Sequence, residues 1–346
     1  MSAALDERSR EVLKLLIQLH IATGEPVGSE SLSRLMKRSV SSAAVRNIMA
    51  ELEKKGYLSH PHTSAGRMPT DEGYRVYVDT LMGPAALGAR EAAAIESELR
   101  PGDGSPQGVA EHASHLLGRL SRSVGFVMTP DLTRTTFRHI DLVRLPHPRV
   151  LVVMVSQTGL VTHKVVEVDE QLGQPDLQAC ANYLNTHFAG MTLDAIRARL
   201  LQLLGEEKAL YDSLLKTVLQ VAGPAFAAES DASSVYVDGA SNIVGRVEFE
   251  DASRMRALFK TFEQKSRLVK IVTACLDGSG VRVVIGRQIP DPELQGVALV
   301  TTALAVGAEG WALGVMGPTR MEYPHVVSVV DHMARVVSHA LQELGK

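Results

Sequence analysis

Two cysteines, Cys180 and Cys275, are all that the 346-residue sequence holds, far apart and in no metal-ligand spacing. That argues against a disulfide scaffold and a zinc module and fits a reducing compartment. Phosphate-cradling G-x-G-x-x-G and P-loop motifs are missing, as is the G-x-S-x-G nucleophile elbow. No internal repeat and no polar catalytic constellation emerges, so an enzyme is not expected, and no catalytic residue, cofactor or metal is assigned. The net charge of −3 gives no global basic signal for nucleic acid, so local charge must be examined. Residues 1–10 are charged and carry no apolar run, so no signal peptide is expected and the reading is cytoplasmic. The stretch 296–317 has one charge, Glu309, but its five glycines, two threonines and several valines read as two buried strands rather than a membrane helix. No membrane association is expected.

What is there is globular: 45% hydrophobic residues, enough for two or three domains of about 100–200 residues each. Val12, Leu15, Leu16 and Leu19 recur at helical spacing, and Gly24 and Pro26 stop that helix. A second helix is expected from Ser29, acting with Glu30 as its start signal, with Leu32, Leu35 and Met36 inward. A third is expected over 41–55 on Val45, Ile48, Met49 and Leu52. Short strands around Tyr57 to His60 and Arg67-Met68 enclose a polar loop. Thr70 caps a further helix carrying Tyr74, Tyr77, Val78 and Leu81. A linker rich in Ala, Gly and Pro follows, helical near 88–99, and Pro101-Gly102-Asp103-Gly104-Ser105-Pro106 marks a domain boundary.

Beyond it a helix at 109–121 leads to strands at 124–128, 140–145, 150–155 and 161–168. Residues 175–228 read as helical, with Leu193, Ile196, Leu200, Leu203, Leu210, Leu214 and Val218 in stripes. Strands are expected at 235–237, 271–274, 281–285, 297–305 and 311–316, with Asp277-Gly278 as a hairpin turn. A last helix runs over 325–344. This β–α–β order predicts a helical insertion inside an α+β domain.

Three helices, tight turns and a short hairpin with a polar loop are the sequence form of a winged helix-turn-helix. The charge agrees locally. From Arg34 to Arg67 seven basic residues (Arg34, Lys37, Arg38, Arg46, Lys54, Lys55, Arg67) face two acids, Glu51 and Glu53, a local +5. The third helix is the expected recognition helix. Ser41 and Ser42 open it with small side chains that allow deep entry into the major groove. Arg46 pairs well with guanine and Asn47 with adenine, so these four are the base-reading candidates. Arg34, Lys37 and Arg38 are expected on the backbone, and His60, His62, Thr63, Ser64 and Arg67 form the wing, with Arg67 reaching phosphate or the minor groove. His60 and His62 sit two apart, a metal spacing, but no third ligand accompanies them. A three-helix module of this kind also serves for binding protein, which leaves an adaptor reading open.

The run from His62 to Met82, H-T-S-A-G-R-M-P-T-D-E-G-Y-R-V-Y-V-D-T-L-M, resembles the signature of the heat-inducible transcription repressor HrcA family. Similar stretches are S-A-A-V-R-N-I-M-A-E-L-E from Ser42, L-N-T-H-F-A-G-M-T-L from Leu184 and G-V-M-G-P-T-R-M from Gly314. One departure is Gly286-Arg287-Gln288, where an acidic residue is expected soon after the Val-Ile-Gly strand. The resemblance implies an α+β multidomain fold: a winged helix-turn-helix at 1–82, a linker at 83–107, a GAF-like α+β domain at 108–172 and 272–346, and a largely helical dimerisation domain inserted at 173–271. It implies repression of chaperone operons by a homodimer on double-stranded DNA, at an inverted repeat called CIRCE. It further implies release on heat shock, with the GroE chaperonin keeping the repressor competent. Within the insertion, Leu184, Phe188, Leu193, Ile196, Leu200 and Leu214 are the expected dimer contacts, with ordinary intrachain core the alternative that each single leucine favours. Gly317-Pro318-Thr319-Arg320 reads as a dimer contact or a strand-ending turn. A ligand-gated regulator using the GAF-like domain is the alternative.

Overall fold

The structure, a computed structural model, describes residues 5–36, 40–60, 66–83, 87–99, 105–130, 136–146, 148–157, 159, 161–168, 172–204, 217–218, 221–222, 235–244, 252–276, 278, 280–306 and 310–344. The N-terminal part is α1 (Glu7–Thr23), α2 (Ser29–Leu35), α3 (Ser42–Lys54), a two-stranded hairpin of β1 (Leu58–Ser59) and β2 (Met68–Pro69), and α4 (Asp71–Val76). The caps are local chemistry. Asp6 accepts the Ser9 N–H before α1, Ser41 the Ala44 N–H before α3, and Thr70 the Gly73 N–H before α4. Gly24 closes α1 at φ 76°, a left-handed cap that glycine adopts without steric cost. Helix α2 starts at Ser29 as expected, with Gly28 as its N-cap and the Ser29 hydroxyl 3.0 Å from that of Ser42, but one expectation fails. Leu35 is 51% exposed, because Leu32 and Met36 fill the inward face of so short a helix.

Helix α5 (Ala89–Glu98) lies against α11 (Tyr323–Leu344), with Ile95 and Leu99 buried and Glu91 and His325 paired at 2.9 Å. Between them in sequence run α6 (Pro106–Ser121), β3 (Val124–Met128), β4 (Phe137–Arg144), β5 (Arg149–Ser156), β6 (Val161–Glu167), α7 (Gln174–Phe188), α8 (Leu193–Leu204), β7 (Val235–Asp238), α9 (Ala252–Glu263), α10 (Lys265–Cys275), β8 (Arg282–Ile285), β9 (Val297–Ala303) and β10 (Ala312–Pro318). The strands form two antiparallel sheets, β7-β3-β10-β9-β8 and β4-β5-β6. The first is buried on both faces. Val127, Leu313 and Val315 join the α6 and α11 side, while Phe126, Leu299 and Met316 join α9 and α10. The second sheet packs one face on α7 and α8 in a core of its own, from Phe137 to Ala222.

The sheets do not divide where the sequence pattern divides them. β7 lies in the stretch expected to be inserted yet completes the larger sheet, and β4 to β6 lie in the stretch expected to be GAF-like yet form the separate one. Hydrophobic alternation marks a strand, not its partners. Residues 271–274 are helix, not strand, so the expected hairpin lacks the first arm placed there; Asp277 of its turn lies outside the described residues. Leu268, Ile271, Val272 and Cys275 are buried at i, i+3, i+4 and i+7, a helical face that overrides the β-branched run.

Candidate nucleic-acid interface

Helix α3 is two-sided. Val45, Met49 and Leu52 are buried against α1 and α2, whereas Arg46 and Asn47 are exposed. Among the described residues, neither side chain has an intramolecular hydrogen bond or ion pair, so their donors and acceptors are open to solvent. Ser41 is exposed at the helix entrance with its hydroxyl engaged by the Ala44 N–H, and Ser42 is half-buried on Ser29. Arg34 is exposed and paired with Glu30 one turn back, a surface pair of little strength that a phosphate can replace. Lys54 and Lys55 are exposed at the far end of the helix. Lys37, Arg38, His62, Thr63 and Ser64 lie outside the described residues.

Arg67 is placed differently from the expectation. Its side chain is 20% exposed, and its Nε donates to Glu53 Oε2 at 2.7 Å. Its Nη1 lies 2.9 and 3.2 Å from the two ring nitrogens of His60. His60 Nδ1 also lies 3.1 Å from the Gly66 carbonyl, so the imidazole sits between that carbonyl and the Arg67 guanidinium. The Arg67 backbone also exchanges hydrogen bonds of 2.9 Å with Val27, between α1 and α2. Sequence reasoning missed Glu53, counting it only as a subtraction from the basic window.

Also missed was how this unit is mounted. Arg320, in the expected turn after β10, donates to the Ile21 carbonyl at 3.0 Å, at the C-terminal end of α1. Arg75 of α4 donates to the Val283 carbonyl of β8 at 2.6 Å. Tyr74 packs on Tyr323 with ring centroids 5.9 Å apart. Burial, then the neighbouring Tyr74 and Asp71, raise the Tyr323 phenol well above its ordinary value, and it stays a neutral donor to the Thr319 carbonyl at 2.5 Å.

The expected dimer contacts fall elsewhere than on a free face. Leu184, Phe188, Leu193, Ile196 and Leu200 are buried within the chain, packed on the β4-β5-β6 sheet. They carry apolar stripes because they close that core, which periodicity cannot distinguish from an interface. Leu214 lies outside the described residues. No helix among the described residues is long and apolar enough to cross a membrane.

A family model described as the HrcA protein C terminal domain matches residues 107–327. A protein of Geobacter sulfurreducens named heat-inducible transcription repressor HrcA is 37% identical over 339 residues, covering 98% of each chain. The protein of that name from Xanthomonas axonopodis pv. citri is 38% identical over 345 residues, covering 99% of this chain and 98% of its own. A crystal structure titled as a hypothetical protein at 2.2 Å resolution matches the fold with a TM-score of 0.64 at 22% identity, over 99% of this chain and 100% of that one. With an exposed basic helix at one end and likeness to these repressors along nearly its whole length, the chain belongs to the heat-inducible transcription repressor HrcA family, a family of transcription regulators and not of enzymes.

Proposed function

We propose that this protein represses chaperone operons in the cytoplasm by binding a CIRCE-type inverted repeat as a homodimer. Arg46 and Asn47 read bases from α3, Ser41 and Ser42 let its first turn approach the groove floor, and Arg34, Lys37 and Arg38 hold backbone beside a wing of His60, His62, Thr63 and Ser64. The observation that carries this is the pair Arg46 and Asn47, exposed and unengaged among the described residues, on a helix whose opposite face is core.

An inverted repeat needs two recognition helices related by a dyad. The outward face of the β4-β5-β6 sheet suits a second copy. Val143, Val161 and Val165 stand exposed there, beside the half-buried Leu151, Val153 and Val155. Asp141, Val153 and His163 form one cross-strand row. A two-fold axis along β5 sets Asp141 of one copy against His163 of the other, so the face is complementary to itself. In this reading the inserted unit is the smaller sheet with α7 and α8, the larger sheet with its helices is the GAF-like domain, and 1–82 is the winged helix. Heat releases the operator by weakening a marginally stable dimer, and the GroE chaperonin restores it, which links repression to free chaperonin.

The test is a gel shift of the full chain on an inverted-repeat duplex and a scrambled one, at two salt concentrations. Arg46→Ala or Asn47→Ala is expected to reduce discrimination by about 1–3 kcal/mol. Unchanged discrimination by Arg46→Ala would sink the recognition-helix assignment.

A further inference from the structure

The hairpin that carries the wing has two strands of two residues each. So short a ladder does not fix its own direction. What fixes it is side-chain chemistry. Glu53 lies seven residues after Arg46 on α3, about two turns on, and so on the same side of the helix. Its carboxylate takes the Arg67 guanidinium across 14 residues of sequence, and that guanidinium also rests on His60, at the same end of the hairpin on its other arm. Both partners are partly shielded, Glu53 at 33% and Arg67 at 20% side-chain exposure. The Arg67 backbone is in turn tied to Val27. One arginine therefore joins the recognition helix, both arms of the hairpin and the α1–α2 connection.

We propose that Glu53 is a positioning residue for DNA recognition: through Arg67 it holds the β1–β2 hairpin at a fixed angle to α3, and Arg67 serves as this pin rather than as a phosphate ligand. The inference rests on the reading of α3 and the wing as the DNA interface. Its consequence is that α3 and the hairpin base meet the groove and the adjacent backbone as one unit. Loss of the pin leaves the hairpin base to be oriented during binding, at an entropic cost. The sign is diagnostic. Removing a negative charge near DNA ordinarily tightens binding, whereas loss of the pin weakens it.

The experiment measures dissociation constants of the full-length wild type, Glu53→Gln, Arg67→Ala and the double variant. An inverted-repeat duplex and a scrambled duplex are titrated over a range of salt, with active fractions counted by stoichiometric titration. Glu53→Gln and Arg67→Ala are each expected to weaken operator binding roughly tenfold, the double variant no more than either alone. Scrambled-duplex affinity stays within about twofold, and the slope of log affinity against log salt is unchanged, since no phosphate contact is lost. A merely destabilised fold would lower the active fraction and leave the discrimination ratio alone. The inference is overturned if Arg67→Ala reduces the salt slope by about 0.9, the mark of a lost phosphate contact, if Glu53→Gln tightens binding, or if neither substitution matters. A wild type that does not distinguish the two duplexes is a different failure, that of the DNA reading itself.

Discussion

Arg46 and Val45 are neighbours in sequence with opposite fates, one in solvent and one in the core, because successive helical residues point about 100° apart. That contrast was legible in the sequence. The fate of Arg67 was not, since a charge count registers sign but not partner, and Glu53 is 14 residues away. Cys180 is a second case where surroundings decide chemistry. It sits with Leu177, Ala181 and Leu184 in the core of the smaller sheet, and burial pushes its thiol up from 9.0 to about 12. It therefore remains a protonated, unreactive thiol in the fold. Iodoacetamide at pH 8 is expected to spare Cys180 in the native protein and to label it after unfolding, as read by mass spectrometry. The sign for stability follows. The folded chain keeps a proton that the unfolded chain gives up above about pH 9, so this thiol's contribution is present below pH 9 and is lost as pH rises toward 12. The melting temperature of Cys180→Ala should accordingly fall less than that of the wild type over that interval.

Elements whose capping and periodicity agree are those the sequence predicts well. α1, α3 and α4 have Asp6, Ser41 and Thr70 as caps and regular apolar faces behind them. α10 does not, because Ile271-Val272-Thr273 has strand propensity and only the packing of the larger sheet against Leu268 and Cys275 makes it helical. Close approach between elements was equally hidden. Gly73 of α4 presses on the Tyr57 carbonyl, and an added methyl group would overlap that oxygen. Gly73→Ala is therefore expected to cost about 1–3 kcal/mol, seen as a lowered midpoint in thermal denaturation. Gly83, whose surroundings are open, is the control, and Gly83→Ala should stay within about 0.5 kcal/mol of wild type. Equal effects at the two positions would refute the contact argument.

Across the whole molecule, one continuous core runs from Leu13 and Leu16 of α1 through Tyr74 and Tyr323 to Val330 and Val337 of α11. With Arg320 and Arg75 bonded across the same junction, the N-terminal helices and hairpin are mounted on the larger sheet. The smaller sheet stands apart with its own core and its outward valines. Val153→Asp, at the centre of that outward face, is expected to yield a folded monomer by sedimentation, with circular dichroism preserved and operator affinity lost. Leu184→Ala, by contrast, removes core and should cost about 2–5 kcal/mol of stability. A Val153→Asp protein that still sediments as a dimer would remove this face from consideration.

By itself the sequence determined the helical N-terminal unit, the basic window around α3, the strands near 124–128, 297–305 and 311–316, and the family. All of these are local patterns: caps, periods of 3.6 and 2, charge sign and motif letters. Tertiary structure alone decided which sheet each strand joined, that the leucines of α7 and α8 close an internal core, and that Arg67 is held by Glu53 and Arg320 by α1. The physical reason is that a pairing between distant residues depends on where the whole chain brings them, and composition and periodicity carry no record of that distance.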